Sequence, residues 1–271
     1  MRISWKEISW LRLMKAIKRR FLGVPDRLSF VYSKRGRANA HALESLKDIH
    51  KGETAILLAN GPSLANEDLR CTKNYQTFGL NRVYLGFDKL GIELDYLVCV
   101  NNLVLSQFGD ELGLVQCKKF LAWSARAHLA SVKDTYWLNP GLQVKSFSTN
   151  IARGINPAAT VTFAALQIIY HMGFEKVLIL GMDHSFNLKK SNIPNTTETY
   201  DHEKDVNHFL PNYFPKGVKW ETPDLVSSEY FYLEAREAFE RAGRRIVDCT
   251  TDGKCQVFEK GILTEELRPI D

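Results

Sequence analysis

Asn60, Asn81 and Asn101 each stand directly after a short apolar run (residues 54–59, 76–80 and 94–100), and Asp183 follows residues 176–181 with Met182 between. Runs of this length and composition read as buried strands. If those strands are parallel, their carboxyl ends share one edge of a sheet, and the four polar side chains converge on a crevice there. One asparagine after a strand is ordinary turn chemistry. Three in succession read as a ligand site. Asparagine offers donors and acceptors without charge, which suits a pyrimidine ring, a ribose or a sugar and suits magnesium poorly. Gly61 and Ser63 belong to the same turn as Asn60, in Asn60-Gly61-Pro62-Ser63. Farther along, Asn156-Pro157 precedes the most apolar helical stretch, whose first-turn N–H groups and the hydroxyl of Thr160 or Thr162 could hold a phosphate. Two histidines are placed to act as a general base near neutral pH: His208, in Asn207-His208-Phe209, and His184, next to Asp183. Asp183, His184, His202 and His208 lack the regular spacing of a metal cluster, and no metal site is assigned.

The elements that position these residues alternate. Strand candidates cover 54–59, 76–80, 94–100, 118–122, 176–181 and 245–249; helix candidates cover 64–71, 82–90, 103–112 and 158–172. Alternation at this spacing predicts an α/β fold, a Rossmann-like, mainly parallel sheet with helices on both faces. Glu67 and Asp68 fall in the first turn of the first of those helices, where its dipole favours them. Residues 187–223 break the pattern with Asn, Thr, Pro, His and aromatic residues, and read as a lid that packs. From Asp224, apolar residues recur at helical spacing up to Gly243, with Tyr232 and Phe239 as core contacts.

Charge divides the chain. Of its 271 residues, the first forty hold eleven Lys or Arg against Glu7 and Asp26, a net of +9; the whole chain is +5, so the remainder is −4. Within residues 1–23, Ile3, Trp10, Met14, Ile17 and Phe21 share one helical stripe, with lysines and arginines on other faces. This predicts a basic amphipathic arm (residues 1–50) ahead of one domain (51–271), the arm resting through 1–23 on an anionic membrane surface; docking on its own domain or another subunit is the alternative. Nucleic acid is not expected, since the body is acidic and lacks a recognition motif. No apolar stretch reaches the roughly 20 residues of a membrane span, and the N-terminus lacks a signal peptide's apolar centre. Five scattered cysteines fit a reduced, cytoplasmic protein, peripheral at most on the inner membrane.

Asn60-Gly61-Pro62-Ser63-Leu64, Asn81-Arg82-Val83-Tyr84-Leu85, Asn101 and the segment from Met172 to Asp183 resemble, in order, the motifs of the bacterial sialyltransferases of glycosyltransferase family 42. They resemble equally the hydroxymethylpterin-diphosphokinase-like family, as does the stretch from Asn207-His208-Phe209 to Trp220-Glu221-Thr222-Pro223-Asp224. The first resemblance implies metal-independent transfer of a sugar from a CMP-linked donor, such as a CMP-sialic-acid-like one, to a glycan or glycolipid acceptor in surface glycan synthesis, with no further cofactor. Asn60, Asn81 and Asn101 would contact the nucleotide, Thr160 or Thr162 would match the Thr-Ser-Gly opening the corresponding helix, His208 would match the lid histidine, and Tyr200 or Tyr213 the phosphate-binding tyrosines. The second implies Mg-ATP and pyrophosphoryl transfer, which needs carboxylates at the metal where this chain carries Asn101. A non-catalytic nucleotide- or sugar-binding protein is a third reading, and an oligomer is compatible with all three.

Overall fold

A computed structural model describes residues 24–139, 146–158, 160–187 and 194–267. The basic segment 1–23 lies outside the described residues. Two helices come first, α1 (Val24–Tyr32) and α2 (Lys34–Glu44), followed by the strand β1 (Thr54–Leu58). Then come β2 (Gln76–Leu80), the short helix α3 (Phe87–Leu90), β3 (Tyr96–Cys99), α4 (Asn102–Leu114), β4 (Lys118–Ala122) and β5 (Thr135–Leu138). After α5 (Val161–His171) and β6 (Lys176–Leu180), the lid contributes β7 (Thr197–Thr199) and β8 (Lys219–Glu221). The chain closes with α6 (Leu225–Arg241), β9 (Arg245–Asp248), β10 (Glu259–Lys260) and α7 (Leu263–Glu266).

Eight strands form one sheet in the order β10-β9-β6-β1-β2-β3-β4-β5, and every pairing in it is parallel. This is the expected Rossmann-like α/β architecture. Its strands read as unbroken apolar runs because both faces are covered; Ile56, Leu57, Leu58, Val177, Leu178 and Ile179 are all fully buried. From β1 the chain adds strands in one direction as far as β5, then returns through α5 to place β6 on the other side of β1. The connections from β1 and β6 thus diverge, opening a cleft at their carboxyl ends where open α/β sheets bind ligands.

The departures from the sequence reading are local. Residues 64–71 form no α-helix but two 3-10 turns, Pro62–Asn66 and Leu69–Thr72, with Glu67 extended between them. The cause is side-chain competition: Asp183 captures the N–H and hydroxyl of Ser63, and Asp68 captures the N–H of Arg70. Asp68 therefore caps the second turn and does not face a helix dipole. Residues 82–90 divide similarly into a 3-10 turn, Val83–Gly86, and α3. The apolar helix begins at Val161 with Thr160 as its cap, so Pro157 precedes it. Buried Gln167 holds Asn156 off the helix, accepting its N–H at 2.9 Å and donating to its carbonyl at 2.8 Å. Sequence reading missed β5 and β10, two short edge strands, and the antiparallel β7–β8 pair of the lid.

The lid packs as its aromatic residues predicted: Tyr200, Phe209, Tyr213 and Trp220 are buried. Helices α1 and α2 also lie against the body. Phe30 meets the ring of Trp123 edge-on at 5.1 Å, and Asn39 exchanges two 2.8 Å hydrogen bonds with the backbone of Trp137 in β5. No disulfide joins the five cysteines, and burial raises the Cys99 thiol to about 12. Among the described residues no helix is long and apolar enough to cross a membrane.

Candidate functional site

At the carboxyl edge, between the ends of β1, β2, β3 and β6 and beneath the lid, lies a crevice of about 220 Å³. Its wall includes Asn60, Gly61, Asn81, Asn101, Thr160, Thr162, Asp183, His184, His208 and Tyr213, so ten of the expected residues meet there. Ser63 and Tyr200 do not line it. Ser63 stands behind the wall, its N–H and hydroxyl holding the Asp183 carboxylate at 3.0 and 2.8 Å. Tyr200 is buried inside the lid against Trp220 and Phe214.

The three asparagines have different tasks. Asn60 donates from Nδ2 to the Leu80 carbonyl at 3.1 Å, which ties the ends of β1 and β2 and fixes which way its amide points. Its Oδ1 is buried without a hydrogen-bond partner. Asn81 has left-handed backbone, φ 48°, and its Oδ1 is likewise buried and unpartnered. A buried acceptor left open costs about 1–3 kcal/mol, so two on one ligand-sized crevice mark places where a ligand's N–H or O–H would be welcomed. Asn101 caps α4 instead, accepting from the Leu103 and Val104 N–H groups, and its Nδ2 donates to Glu221 at 3.2 Å. Gly61 is needed for close approach: a Cβ there would stand 1.9 Å from Asp183 Oδ2 and 2.6 Å from the Gly181 carbonyl oxygen.

On the lid side, His208 places Nδ1 2.8 Å from Asp205 Oδ2. The Asp205 side chain is fully buried and also accepts the N–H groups of Asn207 and Phe214. Burial pushes this carboxyl up, but the hydrogen bond and charge of His208, with the Asn207 N–H, outweigh it and hold it below the usual carboxylate range. An ionised Asp205 only accepts, so the neutral ring carries its proton on Nδ1 and leaves the Nε2 lone pair to act as a base. The ring stacks on Tyr213 with centroids 4.0 Å apart and planes 8° from parallel. The Tyr213 hydroxyl accepts the Arg82 N–H, and burial drives its pKa far upward. Tyr213 therefore gives the site a flat backing for the imidazole.

His184, the other candidate base, has Nε2 3.1 Å from Glu229 Oε1 and a backbone φ of 53°. Thr160 accepts the Thr162 N–H as helix cap and shares a 3.3 Å hydrogen bond with Tyr232. Tyr232, read from sequence as a core residue, is buried and also borders the crevice; burial raises its hydroxyl to about 12. Sequence reasoning missed Asp205 and Glu229, and gave no role to Asn207 and Glu221 although both stand in the motifs it quoted. Only Asp205 had a local signal, its three-residue spacing from His208. The acids Asp183, Glu221 and Asp224 share the wall with Lys219. Among the described residues no three His, Cys, Asp or Glu side chains gather as metal ligands, and His202 lies outside the crevice beside Asp201.

This topology has a counterpart among solved structures. The MAf glycosyltransferase of Magnetospirillum magneticum AMB-1 superposes with a TM-score of 0.52 at 14% identity, over 86% of this chain and 39% of that one. The two share a fold. At that identity the likeness extends to architecture alone, and the present chain spans well under half the length of the neighbour. No protein-family model matches the chain, and no curated protein matches it significantly.

Proposed function

We propose that this chain is a glycosyltransferase that moves a sugar from a nucleotide-activated donor to a hydroxyl of a glycan or glycolipid in bacterial surface glycan synthesis. The observation that carries the proposal is the pairing, across one crevice, of an Asp205-braced His208 with the unpartnered buried acceptors of Asn60 and Asn81. Those acceptors suit the exocyclic amine of a base or the hydroxyls of a ribose, and a CMP-linked donor is the one this reading adopts. His208 Nε2 takes the proton of the acceptor hydroxyl as its oxygen bonds to the anomeric carbon; the bond from that carbon to the phosphate oxygen breaks, and its electron pair leaves with the nucleotide. The first turn of α5, capped by Thr160, borders the crevice, and in this reading its N–H groups stabilise the departing phosphate. The reaction needs no metal in this reading, and the fold of the MAf glycosyltransferase is compatible with it.

Thermal-shift measurements with CMP, CDP, UDP, GDP and ATP, each with and without magnesium, test the reading. CMP at a hundredfold excess over its Kd stabilises by about 2.7 kcal/mol, which for a chain of this size raises Tm by roughly 5–10 °C, in EDTA as in magnesium. Stabilisation by ATP only with magnesium would overturn it in favour of pyrophosphoryl transfer, and silence toward every nucleotide in favour of a scaffold protein.

A further inference from the structure

Helix α1 turns Phe30 inward and Val24, Leu28, Val31 and Tyr32 outward, the last of these 71% exposed. The outward residues recur at intervals of four, three and one, a single apolar stripe on a helix fixed to the body from its opposite face. Three contacts fix it: the Phe30–Trp123 ring pair, the Asp26–Arg126 ion pair at 2.6 Å and a 3.2 Å hydrogen bond from Arg126 to the Ser29 hydroxyl. Beyond the stripe, Lys34, Arg35 and Arg37 are exposed on α2. Asp26 is the one acid between residues 24 and 40, and Arg126 neutralises it. The sequence ahead of α1 continues the same chemistry, with Arg2, Lys6, Arg12, Lys15, Lys18, Arg19 and Arg20 against Glu7.

Trp123 follows β4 directly, so α1 is anchored at the carboxyl edge of the parallel sheet, the edge that carries the crevice. Ser124, in the same turn, donates to Asn102 Oδ1 at 2.6 Å, next to the Asn101 that lines the crevice. We propose that the exposed face of α1, with the basic residues of α2 beside it, docks on an anionic lipid bilayer and presents the crevice edge to the membrane surface. A bilayer answers both halves of this face, since anionic headgroups meet the lysine and arginines while the acyl boundary accepts Leu28 and Tyr32. Nucleic acid would satisfy the charge and leave the apolar stripe in water. The body's net negative charge orients the chain, turning the rest of the molecule away from the bilayer.

The inference goes beyond the transferase reading and is tested without a nucleotide. The full chain is floated with vesicles of phosphatidylcholine alone and of phosphatidylcholine mixed with phosphatidylglycerol, beside the double variant Leu28→Glu/Tyr32→Glu. Both substituted side chains are exposed, so the melting temperature holds. The full chain floats with the anionic vesicles only and is released at about 1 M salt, where the Debye length falls to about 3 Å. The variant loses at least about tenfold in bound fraction, as removal of two inserted apolar groups requires. Wild-type flotation by the variant would overturn the proposal, as would a full chain that ignores anionic vesicles. Conversion of a wild-type dimer to monomer by the same substitutions would assign the face to a second copy and overturn it equally.

Discussion

At the scale of single residues, two positions decide whether the crevice is catalytic. His208→Ala is expected to lose at least about a hundredfold in transfer rate while CMP still raises Tm, because the asparagine side of the crevice is untouched. Asp205→Asn keeps the shape and removes the charge that holds the Nδ1 proton; turnover falls by at least about tenfold with donor binding unchanged. Asp205 also predicts a pH dependence. Its folded carboxyl lies below the ordinary value near 3.9, so its stabilisation is complete above about pH 4 and lost as pH falls through the lowered folded value. In guanidinium titrations across that range, the stability gap between wild type and Asp205→Asn should narrow toward acid. A gap that widens there would contradict the assignment. Gly61→Ala forces a Cβ into Asp183 and the Gly181 carbonyl, and should cost about 2 kcal/mol in the same assay.

Among the elements, the lid is held to the body by side chains, and one of them is buried. Arg82, 4% exposed, donates to the Tyr213 carbonyl, pairs with Glu111 at 3.1 Å and lies 3.7 Å over the Phe108 ring. Arg82→Met fills much of the same space but leaves the Tyr213 carbonyl buried and unpaired, a loss of about 2 kcal/mol borne mainly by the lid. Limited proteolysis within residues 194–217 should therefore quicken by about tenfold or more, with little change at sites in the sheet. The lid's aromatic content announced that it packs, whereas the Arg82–Tyr213 clasp spans a separation no local pattern reveals. The same limit explains the turn after β1. Its composition suits a helix, and Asp183, 120 residues away, pulls Ser63 into a 3-10 geometry.

For the molecule as a whole, the described N-terminal helices behave as part of the fold. Asn39 satisfies both the N–H and the carbonyl of Trp137 on the edge strand β5, where no further strand can. Asn39→Ala leaves two buried backbone groups open, an expected cost of about 2–4 kcal/mol and a drop in Tm of roughly 5–15 °C by calorimetry. An unchanged Tm would mean that α2 is an appendage. The edge strand itself was invisible in the sequence, because Thr135-Tyr136-Trp137-Leu138 is short and leads into a polar segment. Its pairing is with the preceding strand β4, and its cover by Asn39 of α2 comes from 98 residues away.

Sequence alone determined the alternation of buried strands and helices, and with it the parallel sheet and the shared edge on which Asn60, Asn81, Asn101 and Asp183 converge. Those features follow from hydrophobic period and from the single direction of parallel strands, both written locally. Tertiary structure decided which side chains are spent and which remain open. Asn101 is consumed in capping α4, Ser63 in holding Asp183, and Tyr213 in backing His208; Asn60 and Asn81 keep bare acceptors. Hydrogen-bond partners are assigned by proximity in space, and residues of one type at equivalent strand ends therefore acquire different chemistry.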